Sequence, residues 1–210
     1  LPLCGLYEKL SRIVVHDDVR HSQGVEHELQ LLDDKFFTSP ELALSSSDEA
    51  IATMARLACA GADSAMGTLG AYDRAVIETV QENEQSIDML ADAVNNYLVR
   101  LSGHMEADDN SVLLNYYLQC FSEFERIGDY AVNLTESAEE LHARGAQFST
   151  TARQELAVLQ DALHEIMGYA ADAFTTRQAS VARHIEPVEE VIDDLVETLR
   201  ARHTRRLLDG

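Results

Sequence analysis

An all-α fold is predicted by three features of the sequence: its composition, the spacing of its apolar residues and its sparse punctuation. The chain has 210 residues with three prolines, ten glycines and no tryptophan, and its Ala, Leu, Glu, Asp and Arg content favours long helices over many short strands. Apolar side chains recur at threes and fours, the period of one helix face. Turn-forming residues gather at only a few places. With 46% of the residues hydrophobic and 6% aromatic, the chain can fill one fair-sized core or two small bundles joined end to end.

Residues 1–15, LPLCGLYEKLSRIVV, form a short apolar segment carrying Lys9 and Arg12, and a polar stretch with His16, Asp17, Asp18, His21 and Gly24 follows. Residues 1–45 therefore read as a lead-in and linker. LLDDKFFTSP ends in Ser39-Pro40, and SSSDEA at 45–50 places hydroxyl caps ahead of acidic residues, the pattern of a helix start near residue 46. Five long helices are expected, at about 46–69, 72–102, 110–143, 150–176 and 178–207, divided by Gly70, by Gly103 to Asn110, by Gly145 and by the polar run Thr175 to Gln178.

The second helix carries Val76, Val80, Ile87, Leu90, Val94, Tyr97 and Leu101 on one stripe, and the third carries Leu113, Tyr117, Cys120, Phe124, Ile127, Ala131 and Ala138. Both stripes read as core. A shift of 105 residues sets Val80, Glu84, Ile87, Asp88 and Leu90 against Ile185, Glu189, Ile192, Asp193 and Leu195, as in a duplicated unit. Residues 46–148 then form a complete three-helix unit, and 149–210 a partial second one without a third helix.

The charge narrows the function. Sixteen Lys and Arg stand against 37 Asp and Glu, a net charge of -21, which repels a phosphate backbone and argues against a nucleic-acid partner. Cys4, Cys59 and Cys120 lack paired metal-finger spacing and read as reduced, buried thiols. No stretch approaches the ~20 apolar residues of a membrane span, so no direct membrane insertion is expected. The sequence contains no GxSxG, phosphate loop or HExxH, and nothing nominates a catalytic nucleophile.

The most specific string is ERIGDYAVN, in which Glu125, Asp129 and Asn133 follow at intervals of four and Glu136 returns to the same side. At 100° per residue this face points away from the Leu113–Phe124–Ala131 stripe. A solvated acidic surface is the plain interpretation; the sharper one is an oxygen-rich site for Mg, Mn, Fe or Ca. Glu84 and Asp88, and Glu189 and Asp193, repeat an ExxxD spacing at equivalent places in the two units. Glu139-x-x-His142 and Asp161-x-x-His164 are similar to the carboxylate-x-x-His pairs of di-iron bundles and carry the alternative of a di-metal oxidoreductase.

ERIGDYAVNLTE resembles the ERIGDHAxNIAE signature of PhoU-type domains, with Tyr130 standing where the family usually has His. The resemblance covers residues 46 to 210. It implies a PhoU-like antiparallel helical bundle whose ExxxD-bearing helices hold a divalent or ferric ion (Fe, Mn, Mg or Zn), here at Glu125 and Asp129 with Asn133, Glu84, Asp88, Glu189 and Asp193 as further contributors. The leader, the LLDDKFFTSPELAL run and the closing EPVEEVIDDLVETLRARHTRRLLDG resemble the subgroup in which such a domain is the cytoplasmic tail of a bacterial Na/phosphate cotransporter-related protein. That resemblance implies membrane spans encoded directly upstream, a transmembrane phosphate-transporter domain of the same parent protein as partner, and a regulatory, non-enzymatic role at the cytoplasmic side of the cell membrane. A homodimer is a second partner expectation, and a purely structural dimerisation scaffold a further reading.

Overall fold

A computed structural model describes residues 18–105 and 110–209 of the protein. Every described element is helical, so the all-α class holds. The order is α1 (Asp18–Leu31), a 3-10 turn (Asp34–Thr38), α2 (Pro40–Gly70), α3 (Arg74–Ser102), α4 (Asn110–Ala143), α5 (Thr150–Thr176), the short α6 (Ala179–Ala182) and α7 (Ile185–Asp209). The leader expected to follow a membrane domain, with Cys4, Lys9 and Arg12, lies outside the described residues.

The chain divides into two compact units. Unit 1 holds the described residues up to Met54 together with Ser86–Glu123; unit 2 holds Ala55–Gln85 and the residues from Phe124 onward. Each of α2, α3 and α4 thus contributes one segment to each unit.

Three element boundaries differ from the sequence expectation, each for a physical reason. The polar stretch read as linker forms α1, because Val25, Glu28 and Leu29 recur at helical spacing and Val25 is buried; packing of one face outweighs the propensity cost of Gly24. The first long helix begins at Pro40, before the SSSDEA run, since proline suits the first turn, where its missing N–H leaves nothing unsatisfied. Ser46 and Ser47 do not cap it; their hydroxyls donate back to the Leu42 and Ala43 carbonyls, each at 3.2 Å. Finally, the expected helix at 178–207 is broken into α6 and α7. Pro187 carries no N–H for the Arg183 carbonyl and its ring crowds that carbonyl, so a continuous helix cannot pass through 183–184.

Unit 1 is filled by large side chains. Ile51, Met54, Ile87, Leu90, Leu98 and Tyr117 are fully enclosed. Phe37 from the 3-10 turn packs on Tyr97 and His104, with ring centres 4.9 and 5.0 Å away. The Tyr97 hydroxyl donates to the Asp33 carbonyl at 3.4 Å, and Arg100 pairs with Asp34 at 2.6 Å. Together these contacts fasten the turn to α3.

Unit 2 is built from smaller residues where α2, α3 and α4 meet. Ala62, Ala65, Val80 and Ala131 form a buried cluster with Met167 of α5 packed against it. Phe124 meets Phe174 of α5 edge to face at 5.6 Å, a favoured aromatic geometry. Ser149 caps α5 by accepting the Ala152 N–H at 3.2 Å. Within the unit α7 lies along α5, with Ile185, Ile192 and Leu195 half-buried. Arg202 and Arg206 of α7 both reach Glu155 of α5, at 3.2 and 2.8 Å.

Candidate functional site

On the unit 2 segment of α4, the buried side is Phe124, Ala131, Thr135 and Ala138. The oxygen-bearing residues fall on the other side as helical geometry requires: Glu125 is half-buried, while Asp129, Asn133 and Glu136 are exposed. Tyr130 stands beside Asp129 and is 58% exposed. The Asn133 carbonyl accepts the Ser137 hydroxyl at 2.9 Å, leaving the Asn133 amide side chain outside that bond. The face therefore offers a short row of outward oxygens with an aromatic ring beside it.

The other acidic pairs lie on their own helices. Glu84 is half-buried and Asp88 exposed on α3; Glu189 and Asp193 are exposed on α7. Among the described residues, no group of three or more His, Cys, Asp or Glu side chains gathers as a metal-ion site would. Two carboxylates at helical spacing suit one edge of a hydrated hard cation, which keeps most of its waters, rather than a full protein cage.

The carboxylate-x-x-His pairs are not directed into a common core. His142 is exposed in the last turn of α4 and stacks on Tyr72, with ring centres 3.9 Å apart and planes 7° from parallel. His164 is also exposed, and its Nδ1 lies 3.2 Å from Oδ1 of Asp63 on α2 rather than at Asp161. Cys59 is half-buried and its thiol donates to the Met167 carbonyl at 3.6 Å; burial pushes that thiol up to about 11. Cys120 is half-buried as well, and burial with the nearby Asp48 and Glu123 raises it against a hydrogen bond from Tyr116.

Two features escape sequence reading. In unit 1, half-buried Glu28 accepts the Thr53 hydroxyl at 3.2 Å through Oε1, while Oε2 is buried without a hydrogen bond among the described residues. In unit 2, a cleft of ≈ 180 Å³ is enclosed by the end of α2, Tyr72, the end of α4 with His142, the turn 145–148 and Arg153.

Residues 51–138 match the family model of the PhoU domain. The matched span runs from the middle of α2 to near the end of α4 and includes Glu84, Asp88, Glu125, Asp129 and Asn133. Comparison with curated proteins and with solved structures finds no match. Among the described residues, no helix is long and apolar enough to cross a membrane.

Proposed function

We propose that this chain is a non-catalytic regulatory domain that tunes phosphate uptake, the PhoU-like cytoplasmic portion of a Na/phosphate cotransporter-related protein. The observation that carries the reading is the outward acidic face of α4, Glu125 to Glu136, lying within the span that matches the PhoU domain. The match of residues 51–138 to the PhoU domain supports a role in phosphate transport. The cotransporter context rests on the resemblance of the leader and the closing helix to that subgroup.

In this reading the face has two uses. Glu125 and Asp129 would hold a divalent or ferric ion loosely, with Asn133 as an outer contributor, and the ion would offset the repulsion between the neighbouring carboxylates. Tyr130 supplies an amphipathic ring for a partner surface, the transporter domain of the same parent protein or a second copy of this chain.

Two measurements test it. Calorimetric titration with Mn should give heats for the wild type that vanish for Glu125→Gln/Asp129→Asn; equal heats would remove the metal from the proposal. Phosphate uptake by cells carrying the whole parent gene tests regulation. The same double substitution should change how uptake responds to external phosphate at unchanged protein level. Superimposable uptake curves would overturn the regulatory role of this face.

A further inference from the structure

The cleft at the end of unit 2 stands apart from the acidic face. Its lining includes Arg153 and His142 but no Asp or Glu, although the chain carries 37 acids against 16 basic residues. Of the three carboxylates adjacent in sequence to lining residues, Asp73, Glu139 and Glu140, two are engaged elsewhere. Glu140 pairs with Arg144, and Asp73 caps α3 by accepting the Ala75 N–H at 2.9 Å.

Arg153, like Arg183, Arg200 and Arg205 of the same unit, has no ion-pair partner among the described residues, and of these four it is the one that lines the cleft. Its guanidinium therefore keeps its fork of donors for something else. Stacking on Tyr72 holds the His142 imidazole by its face, leaving the ring nitrogens at the edge to meet a ligand and reducing the entropy lost when one binds. The α4 carbonyls that would repel an anion are covered: the Arg144, Gly145 and Ala146 N–H groups donate to the Glu140, His142 and Leu141 carbonyls at 3.1, 3.0 and 2.9 Å.

The cleft, at ≈ 180 Å³, is smaller than the roughly 300–1,000 Å³ of sites for drug-sized ligands. It suits a molecule of a few heavy atoms. We infer that this cleft binds a small oxyanion, a carboxylate or a phosphate-class ion, held by the Arg153 guanidinium and the His142 imidazole. A planar fork of donors favours two oxygens on one centre over a spherical anion such as chloride. The inference goes beyond the regulatory reading and does not depend on it, since none of Glu125, Asp129 and Asn133 lines the cleft.

The experiment is an NMR titration of the whole chain with inorganic phosphate, with acetate and with chloride at matched ionic strength, following the Tyr72, His142, Gly145 and Ala146 signals. A saturable shift with phosphate, acetate or both, and not with chloride, is expected, and the pattern identifies which anion class the cleft takes. Arg153→Gln should weaken binding about tenfold or more, the loss of a charged hydrogen bond. Arg153→Lys should keep part of it, and Arg200→Gln on α7 should change nothing. Arg153 is exposed, so these variants should fold, as a circular dichroism spectrum will verify. No saturable shift with either oxyanion, an equal response to chloride, or wild-type affinity in Arg153→Gln would overturn the inference.

Discussion

Gly61 gives the sharpest test of how α2 and α4 meet. It is buried in the middle of α2, and a methyl group added there would lie 3.8 Å from the Ala131 Cβ, an ordinary van der Waals separation. Gly61→Ala should therefore stabilise the protein. Reduced freedom in the unfolded chain contributes about 0.5–1 kcal/mol, and burying one carbon adds up to about 0.8 kcal/mol. A gain near 1 kcal/mol corresponds to a rise of about 2–4 °C in Tm for a chain of this size. Gly61→Leu places three further carbons where Ala62, Ala65, Val80 and Ala131 already pack together, and overpacking of this kind costs about 1–3 kcal/mol. The sign must reverse between the two variants in thermal and urea unfolding. A destabilised Ala variant, or a Leu variant as stable as the Ala variant, would show that the helices do not approach as described.

Three further outcomes follow from the titratable groups. Burial first, then the Asp34 and Asp33 charges, pushes the Tyr97 phenol up to about 12 against the opposing Arg100; its contribution is intact below the unfolded value of about 10 and is lost as pH rises through the folded one. Tyr97→Phe should thus cost roughly 0.5–1 kcal/mol at neutral pH, for a weak hydrogen bond, and flatten the alkaline loss seen in melts of the wild type. Burial works to raise the Glu155 carboxyl, but Arg206 and Arg202 outweigh it and hold it below its usual range. Its contribution is therefore present above the unfolded carboxylate value of about 4.3 and disappears as pH falls, so Glu155→Gln should remove acid-induced loss of hydrogen-exchange protection in α7; unchanged protection in the wild type on acidification would contradict this. Cys59, with its thiol pushed up to about 11 by burial, should alkylate at neutral pH roughly a hundredfold more slowly than a free thiol, as mass spectrometry can follow.

What the sequence made legible is what a single helix period encodes. Val80, Ile87, Leu90, Val94, Tyr97 and Leu101 are buried on α3, as are Tyr117, Phe124, Ala131 and Ala138 on α4, because periodicity along one helix reports directly on burial. The outward position of Asp129 and Asn133 was readable by the same geometry. Start signals were less legible where two competed: Pro40 and the serines at 45–47 are both plausible helix starts, and the proline won because its fixed backbone already fits the first turn. The α1 stripe is short and interrupted by Gly24, so its burial of Val25 depends on partners that no local pattern reveals. The cleft was illegible for a different reason. Tyr72, His142 and Arg153 belong to three separate segments, and nothing in their spacing says that their helix ends converge. The pairing of His164 with Asp63 rather than Asp161 is likewise a matter of tertiary placement.

The acidic face and the acid-free cleft sit on one helix, and their charges need not interfere. Asp129 and His142 are both on α4, and at a rise of about 1.5 Å per residue they stand about 20 Å apart along its axis. The Debye length at physiological salt is about 8 Å, so most of their mutual field is screened. An acidic face and an acid-free cleft can therefore coexist in a chain whose net charge is -21. Ala131 and Ala138 are the small buried residues that seat α4 in unit 2, and a Cβ added at Gly61 of α2 would lie 3.8 Å from that of Ala131. Small side chains let helices approach closely and leave little room for one to shift without the other, since close-packed interiors transmit displacement instead of absorbing it. Gly61→Ala alters this seam without touching the acidic face or the cleft.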